Sequence, residues 1–409
     1  MPTILFLAHR MPYPPNRGDK IRSFNILKEI SRHAKVHLAC FADDEADAAH
    51  LPALREAIGP ALCEAYVEQR GRNWRALVRA GLNGSPLSIA AFESEGMHRF
   101  VSDMVKGGRI DTIFAFSGQM AQYVLPSADC RFVMDFVDMD SAKFAEYGAA
   151  GRGPLAWLYR REGRALLRFE KEVAARADVS LFVSDAEASL FQSHAARSAS
   201  VRAMSNGIDL RFYDPDGEFA KLESADRGAG PLILFTGQMD YRPNVEAVAA
   251  FAQEVMPLVR SQSADARFAI VGRNPAKAVQ RLHGMNGTVV VGEVGDVRSW
   301  LAAANVVVAP LTIARGVQNK VLEAMAMAKP VVASSAAFAG IDAKAGRDLI
   351  VADGSEEQTT EILRLIHDPA RAAVLGIAAR REMEANYGWH KQLAALPELL
   401  GLPPEKAAA

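Results

Sequence analysis

The sequence predicts an α/β protein with two domains, each built around a parallel β-sheet. The apolar runs Ile4–Ala8, Leu232–Phe235 and Val306–Val308 do not alternate with polar residues, which is typical of strands buried on both faces of a parallel sheet. Each of these runs is followed by a loop that contains glycine and then by a segment of helix-forming residues. The length of 409 residues exceeds that of one typical domain.

The first half of the chain opens with a strand–helix–strand unit. The strand Ile4–Ala8 leads to a helix at Ile21–His33 and a second strand at Val36–Phe41, with a right-handed crossover. Residues 43–100 are predicted to be mostly helical. Further strands are predicted at Ile110–Phe116, Arg131–Asp135 and Asp178–Ser184. No GxGxxG motif follows either of the first two strands, which argues against a dinucleotide-dependent oxidoreductase.

The second half repeats this strand and helix alternation. A segment rich in Gly, Asp, Glu and Ala, residues 215–231, is predicted to link a first domain, 1–214, to a second domain, 232–385. Its strands are predicted at Leu232–Thr236, Phe268–Gly272, Thr288–Gly292, Val306–Val308, Val331–Ala333 and Asp348–Val351. Residues 386–409 are predicted to form a final helical segment.

The stretch 310–333 contains the strongest candidate site. A helix is predicted to begin near Asn319, directly after a strand, and such a helix N-terminus attracts anions. Gly316 allows close approach of the backbone, while Arg315 and Lys320 add positive charge. Lys320 and Glu323 share one helical face. This pattern suits a nucleoside diphosphate, with Glu323 bonding ribose hydroxyls, but an ordinary surface salt bridge would give the same spacing.

Two further polar clusters are open to more than one interpretation. The loop before the first helix combines Gly18 with Arg17, and it is either a ligand-binding loop or a structural turn. Asp135, Asp138 and Asp140 follow a predicted strand. They are candidates to bind a divalent ion or the hydroxyl group of an acceptor substrate, or to cap the next helix.

Two helical stretches interleave aromatic or aliphatic residues with arginine. The first contains Trp74, Leu77, Val78 and Leu82 among Arg70, Arg72, Arg75 and Arg79, and the second runs from Trp157 to Phe169. Such helices either bury their apolar side and expose a solvated face, or lie on an anionic bilayer. The second interpretation predicts peripheral membrane contact.

Composition narrows the class of protein. Hydrophobic residues make up 50% of the chain, the formal net charge is -1, and no apolar run reaches the length of a membrane span. These values argue against a disordered, membrane-spanning or strongly nucleic-acid-binding chain. The three cysteines, Cys40, Cys63 and Cys130, have neither metal nor disulfide spacing, and no secretion signal is apparent, so we expect a cytoplasmic protein.

Several motifs together resemble the retaining glycosyltransferases of family 4, the glycosyl transferases group 1, which have GT-B architecture. The motifs are PPNRGDK at 14–20, DFVDMDS at 135–141, SNGID at 205–209, TGQMDYRPN at 236–244, RGVQNKVLEAMA at 315–326 and KPVVA at 329–333. Their combination is similar to a subgroup of sugar transferases associated with exopolysaccharide and exosortase systems.

The resemblance implies two Rossmann-like domains whose parallel sheets face a central cleft, with the last helix crossing back to the first domain. It implies transfer of a sugar from a UDP- or GDP-sugar to a glycan or lipid-linked acceptor, with retention and without a metal or other cofactor. The expected location is the cytoplasm, with peripheral contact at the inner face of the cytoplasmic membrane. Nucleic acid is not an expected partner.

The resemblance also implies roles for particular residues. The expected catalytic residues are Arg315, Lys320, Glu323, Asp135 and Asp138. The expected donor-binding residues are Gly18, Arg17, Gly237, Gln238, Arg242, Asn244, Glu293, Val294, Gly316 and Val317. Many members carry a Glu at the position of Arg315 and an Arg at that of Gln238, and Arg242 is expected to supply the missing charge. Asn244 is either a helix N-cap or a ligand contact.

Two other classes of function remain open on the sequence. A GT-B nucleotide-sugar epimerase would share the sheet architecture but would need acid and base carboxylates. A non-catalytic nucleotide-sugar-binding protein would keep the nucleotide site and lack turnover.

Overall fold

A computed structural model describes residues 1–71, 74–126, 129–196, 199–314 and 316–402. Of the positions singled out in the sequence, Arg72 and Arg315 lie outside the described residues. The chain divides into two compact units. The first contains Met1–Ser205 together with the segment from Gln392 onward, and the second contains Asn206–Lys391.

Strands of the described residues form one parallel sheet in each unit. They are β1 (Thr3–Ala8), β2 (Lys35–Ala42), β3 (Leu62–Gln69), β4 (Thr112–Phe116), β5 (Arg131–Val137), β6 (Val179–Phe182), β7 (Val201–Ala203), β8 (Leu232–Thr236), β9 (Arg267–Val271), β10 (Thr288–Gly292), β11 (Val306–Ala309), β12 (Val331–Ala333) and β13 (Ile350–Val351). The first sheet has the order β3-β2-β1-β4-β5-β6-β7 and the second β10-β9-β8-β11-β12-β13. The predicted α/β class with two parallel sheets is confirmed.

The central strands are buried because both faces of each sheet are covered by helices. In β1, Ile4 and Leu5 are fully buried, as are Val306 and its neighbours in β11. This explains the absence of alternation in those runs. β3 is different, because it lies at the sheet edge and exposes Cys63 and Glu64. The prediction that residues 43–100 are mostly helical missed this strand.

Helices connect the strands and continue after the last strand. They are α1 (Gly18–His33), α2 (Glu45–Ala48), α3 (Leu51–Ile58), α4 (Trp74–Asn83), α5 (Leu87–Ala90), α6 (Glu95–Lys106), α7 (Asp140–Ala150), α8 (Pro154–Arg176), α9 (Asp185–Gln192), α10 (Ser224–Arg227), α11 (Arg242–Ala250), α12 (Met256–Gln262), α13 (Lys277–Gln280), α14 (Arg298–Ala303), α15 (Asn319–Ala326), α16 (Ser335–Phe338), α17 (Gly354–His367), α18 (Pro369–Glu382), α19 (Trp389–Gln392) and α20 (Leu396–Leu399). Shorter 3-10 turns occupy Gly59–Ala61, Gly118–Tyr123 and Met285–Gly287, and π-helical turns occupy Phe251–Val255 and Met383–Tyr387.

The segment after Gln392 is held to the first sheet by hydrogen bonds. Thr112 Oγ1 donates to the carbonyl of Leu400 at 3.1 Å, and Arg131 Nε donates to the carbonyl of Leu399 at 2.8 Å. Both donors lie at the starts of strands β4 and β5, so α20 packs at the amino ends of the central strands. Over the described ranges, no helix combines the length and the apolar character that a bilayer crossing requires.

Candidate functional site

The carboxyl ends of β8, β9 and β10 meet in a tightly packed group of glycines. Gly237 and Gly272 have φ angles of 154° and 155°. A Cβ atom added to Gly272 would lie 1.6 Å from the Gly237 carbonyl oxygen, so a side chain does not fit there. The Gly272 amide donates to the carbonyl of Gly292 at 2.8 Å. Backbone rather than side chains therefore forms this corner of the second unit.

Lys320 lies in the first turn of α15 and faces this glycine corner. Its Nζ donates to Asn244 Oδ1 at 2.6 Å and lies 4.6 Å from the ring centroid of Phe235. A Cβ atom on Gly237 would lie 3.4 Å from the same Nζ. Three residues expected at the site, Gly237, Asn244 and Lys320, are thus brought together across β8, α11 and α15.

Asn244 holds the lysine and the glycine loop in one arrangement. The N-cap of α11 is Tyr241, so the N-cap interpretation of Asn244 is wrong. Instead its Nδ2 donates to the carbonyl of Gln238 at 2.8 Å, while its Oδ1 accepts from Lys320. Because Asn244 is buried, both ends of its amide need partners, and the loop and the lysine supply them.

The surroundings of Lys320 are unfavourable for an ammonium group. Burial lowers its pKa to about 7, although the nearby carboxylate of Glu323 acts in the opposite direction. No carboxylate forms a salt bridge with Lys320 among the residues that the structure describes. An anion bound beside it would restore the charged form and would be held by a charge-assisted hydrogen bond.

Glu323 lies one turn further along α15 and meets a residue that the sequence analysis did not single out. It forms a hydrogen bond with the hydroxyl of Tyr213, and burial raises the pKa of its carboxyl group. Burial also raises the pKa of Tyr213 well above its usual value, so the hydroxyl stays protonated and donates. Lys320 and Glu323 each bond a neutral side chain, an arrangement that differs from the simple surface salt bridge considered above.

The segment from Asn206 to Tyr213 is packed beside α15. Asn206 Nδ2 donates to Asn319 Oδ1 at 3.2 Å, and Asn319 is the first residue of α15. Gly207 fits against Trp389, since an added Cβ atom would lie 2.7 Å from its Cα atom. Residues 206–213 therefore pack against α15 within the second unit, and this packing brings Tyr213 close to Glu323.

The other expected donor-binding residues of the second unit have varied surroundings. Arg242 is exposed at the start of α11, and its Nε donates to Glu246 Oε1 at 2.7 Å. Gln238 follows Gly237 and is half-buried. Glu293 is exposed directly after β10, and Val294 is half-buried. These residues lie at the carboxyl edge of the sheet.

Gly316 and Val317 precede α15. Gly316 has a φ angle of 62°, and a Cβ atom on Gly340 would lie 2.2 Å from the Gly316 carbonyl oxygen. Val317 is buried. The approach to α15 is therefore a close-packed turn in which Gly316 adopts a left-handed conformation that favours glycine.

In the first unit, the charged residues of the loop before α1 are paired with each other. Gly18 is the first residue of α1 and Arg17 is its N-cap residue. Arg17 Nε lies 2.7 Å from Asp19 Oδ1, and its Nη1 lies 3.6 Å from Asp43 Oδ2. Lys20 forms an ion pair with Asp47. Partners within the unit thus neutralise much of the positive charge expected to face a ligand.

Asp135 is fully buried and serves an internal ion pair. Its two oxygens accept from Arg22 Nε at 2.9 Å and Arg22 Nη2 at 3.2 Å, and Oδ1 also accepts from the Val137 amide at 3.0 Å. Arg22 is 1% exposed and Asp135 is not exposed at all. This bidentate pair fixes α1 to the carboxyl end of β5.

Asp138 has a different environment three residues later. Val137, which precedes it, has a φ angle of 70°, a strained conformation for a β-branched residue. Within the described part of the chain, no hydrogen-bond donor reaches the buried Asp138 Oδ1. Burial, followed by the neighbouring charge of Glu187, raises the pKa of Asp138 to about 7.

None of Asp135, Asp138 and Asp140 is the N-cap residue of α7, so the capping interpretation of these three acids is wrong. The N-cap residue is Met139, whose amide donates to Glu187 Oε2 at 2.8 Å, and Asp140 is the first helical residue. Across the described ranges, no group of three His, Cys, Asp or Glu side chains is arranged to hold a metal ion.

Part of the chain is similar to a known protein family. Residues 230–368 match the family described as Glycosyl transferases group 1. A GDP-mannose-dependent alpha-(1-6)-phosphatidylinositol monomannoside mannosyltransferase of Mycolicibacterium smegmatis is 29% identical over 263 residues, which are 60% of this chain and 67% of that protein. A phosphatidyl-myo-inositol mannosyltransferase of Propionibacterium freudenreichii is 27% identical over 54% of this chain and 57% of its own length.

Solved structures share the fold over nearly the whole chain. HepE of Anabaena in complex with UDP has a TM-score of 0.69 and 16% sequence identity, covering 98% of this chain and 100% of that one. WaaG, a glycosyltransferase involved in lipopolysaccharide biosynthesis, has a TM-score of 0.66 and 16% identity, covering 97% and 100%. Residues 230–368 thus resemble the glycosyl transferases group 1, and the likeness to these solved structures shows that the chain has the GT-B fold.

Proposed function

We propose that this glycosyltransferase moves a hexosyl group from a UDP- or GDP-sugar to a glycan or lipid-linked acceptor, with retention at the anomeric carbon. The observation that carries the proposal is the contact between Lys320 and Asn244 at the start of α15. It combines a buried amino group, a helix N-terminus and a glycine-lined backbone, and this combination suits a diphosphate.

Several residues of the second unit have proposed roles in this transfer. The bond between the anomeric carbon and the diphosphate oxygen breaks while a bond to the acceptor oxygen forms, and the acceptor proton passes to the departing phosphate. Lys320 stabilises the negative charge on that phosphate, together with the amides at the start of α15 and Arg315. Glu323, oriented by Tyr213, accepts hydrogen bonds from the ribose hydroxyls. Gly237, Gly316 and their neighbours let the backbone approach the ligand.

The first unit is proposed to bind the acceptor. Asp138 is the candidate to contact an acceptor hydroxyl, because a buried carboxylate oxygen without a donor is available there. Asp135 is proposed to act through its pair with Arg22, which fixes the end of β5 and thereby the position of Asp138. We propose that the reaction requires neither a metal nor another cofactor.

The relatives support a lipid-linked acceptor, and we propose that the transfer belongs to exopolysaccharide or cell-envelope glycan synthesis. Two of them are mannosyltransferases named for phosphatidylinositol acceptors, and WaaG is named for lipopolysaccharide biosynthesis. An acceptor of this kind would be used at the inner face of the cytoplasmic membrane by a cytoplasmic protein in peripheral contact with it.

Transfer is tested by incubating the protein with radiolabelled UDP- and GDP-hexoses and a bacterial lipid extract. We expect label in the organic phase, release of one equivalent of nucleoside diphosphate, an unchanged anomeric configuration by NMR, and no loss of activity in EDTA. Nucleotide binding without transfer to any acceptor would favour the non-catalytic alternative. Conversion of the sugar nucleotide without an acceptor would favour the epimerase.

A further inference from the structure

Helix α4 exposes its large apolar side chains and buries its small ones. Trp74 is 65% exposed and Leu82 is 85% exposed, and Val78 between them is also exposed. Ala76 and Ala80 form the buried side, at 1% and 3% exposure. An ordinary surface helix of a globular protein shows the reverse arrangement, with the large apolar residues facing the core. The interpretation of α4 as a solvated helix with a buried apolar side is therefore wrong for these residues.

The start of α8 extends this apolar surface. Arg161 Nη2 donates to the carbonyl of Ala80 at 2.7 Å, and Arg168 Nη2 lies 3.4 Å from the carbonyl of Gly84, so one face of α8 follows α4. Trp157 precedes Arg161 by about one turn and lies on that same face. Both Trp157 and the neighbouring Leu155 are exposed.

Arginines surround these apolar side chains. We define the arginine–tryptophan face as the exposed residues Trp74, Arg75, Val78, Arg79, Leu82, Arg152, Leu155, Trp157, Arg160 and Arg164. Helix α4 contains no acidic residue, and the first acid of α8, Glu162, is buried and bonded to Ser88 and to the amide of Leu87. One negative charge beside α4 is that of half-buried Glu93, which pairs with Arg79 at 3.0 Å. The chain as a whole has a net charge of -1, so positive charge is concentrated here.

We propose that the arginine–tryptophan face docks on an anionic lipid bilayer. Tryptophan and leucine side chains enter the interface between headgroups and acyl chains, and arginines contact lipid phosphates. An exposed apolar cluster bordered almost entirely by one sign of charge matches the negative surface of a bilayer. The reason for this docking rests on the proposed function, in which it gives the protein access to a lipid-linked acceptor. Bilayer binding itself can be measured without donor or acceptor.

The test is flotation of the purified full chain with vesicles of phosphatidylcholine alone or mixed with phosphatidylglycerol. We expect binding to the mixed vesicles at low salt and its loss in high salt. The double substitution Arg75→Glu and Arg79→Glu should weaken binding by about tenfold or more, since each basic residue near the surface contributes about 1 kcal/mol. Trp74→Ser with Leu82→Ser should weaken binding at every salt concentration.

Matched control variants change exposed apolar residues and arginines of the second unit. Val374 and Ile377 of α18 are exposed aliphatic residues of the second unit, and Val374→Ser with Ile377→Ser should leave flotation unchanged. Arg281→Glu with Arg364→Glu should cause a smaller change than the two substitutions in α4. All variants should keep their nucleotide-induced thermal shift, which separates a failure of docking from a failure of the proposed function.

Three outcomes would overturn the proposal. One is the absence of binding to phosphatidylglycerol vesicles at low salt. Another is an equal response to the α4 and control substitutions. The third is a concentration-dependent dimer in light scattering that the α4 substitutions dissociate, because the face would then bind a second copy of the chain.

Discussion

The buried cations at the carboxyl ends of the two parallel sheets have different kinds of partner. In the first unit, cations and carboxylates are matched to each other: Arg22 bonds Asp135, and Arg17 bonds Asp19. In the second unit, Lys320 bonds the neutral amide of Asn244, and Glu323 bonds the hydroxyl of Tyr213. The first sheet uses its charges to hold its own elements together. In the second, Lys320 forms no salt bridge with a carboxylate of the described residues, which supports the proposal that it binds an anionic ligand.

This difference supports the proposal that an anionic substrate binds beside Lys320. A buried amino group with a pKa of about 7 costs stability when it is charged, and a bound diphosphate would remove that cost. The cations of the first unit already have carboxylate partners, so a bound diphosphate would not stabilise them in this way. The exception there is Asp138, an acid rather than a base, which suits a hydroxyl donor.

The largest expected effect comes from breaking the internal pair of the first unit. Arg22→Met leaves Asp135 buried without its partner and should lower the free energy of unfolding by about 3 to 5 kcal/mol. Chemical denaturation measures this change. Arg32→Met is the matched control, because the Arg32 side chain is exposed and Glu29 keeps His33 as a second partner, so its effect should stay within about 1 kcal/mol. Equal effects of the two substitutions would show that the Arg22 pair is not structural.

A second substitution tests the glycine corner of the second unit. Gly272→Ala places a Cβ atom 1.6 Å from the Gly237 carbonyl and must displace the ends of β8 and β9. We expect a loss of about 2 to 4 kcal/mol in unfolding free energy, and weaker nucleotide binding in the protein that remains folded. Gly295→Ala is the control, since no atom lies within 4 Å of its added Cβ. Unchanged stability and binding in Gly272→Ala would contradict the packing described here.

The amino group itself is tested by Lys320→Met. Loss of a charge-assisted hydrogen bond should reduce nucleoside diphosphate affinity, measured by calorimetry, by about ten- to hundredfold. The melting temperature without ligand should change little, because removing a costly buried amino group offsets the loss of the hydrogen bond to the buried Asn244 Oδ1. Glu323→Gln, which keeps the shape of the side chain, should have the smaller effect of the two. Normal affinity in Lys320→Met would show that the diphosphate does not bind beside Lys320.

The smallest expected effect is a pH dependence of nucleotide binding. Lys320 is charged below its pKa of about 7 and loses its proton as the pH rises through that value. Affinity for a nucleoside diphosphate should therefore fall by about fivefold between pH 7 and pH 8, where the ligand phosphate is already ionised. Lys320→Arg keeps its charge and should bind equally at both values. A wild-type affinity that rises over this interval would contradict the assignment.

Much of the fold could be predicted because buried parallel strands leave a simple signal. The runs at β1, β8 and β11 are apolar without alternation, and the structure places each at the centre of a sheet. β3 left no such signal, because an edge strand with exposed Cys63 and Glu64 is only partly apolar. Short helices such as α19 and α20 were predicted as one segment for lack of a clear break.

The candidate site could be predicted only where its residues are close in sequence. Lys320 and Glu323 share one helical face, so their spacing indicated a common role. Their partners Asn244 and Tyr213 are far away in the chain and come close only through packing. The exposure of Trp74 and Leu82 could not be predicted from the sequence either, because an amphipathic pattern does not say which side of a helix is covered.

The central claim is that the cluster around Lys320 in the second unit binds the nucleoside diphosphate of a sugar donor. The most direct measurement is a thermal-shift titration of the wild-type protein and Lys320→Met with UDP, GDP, ADP and their sugar conjugates. We predict a rise in the melting temperature of the wild-type protein with one nucleotide and its sugar conjugate, and a much smaller rise in Lys320→Met. No shift with any nucleotide, or equal shifts in both proteins, would contradict this account.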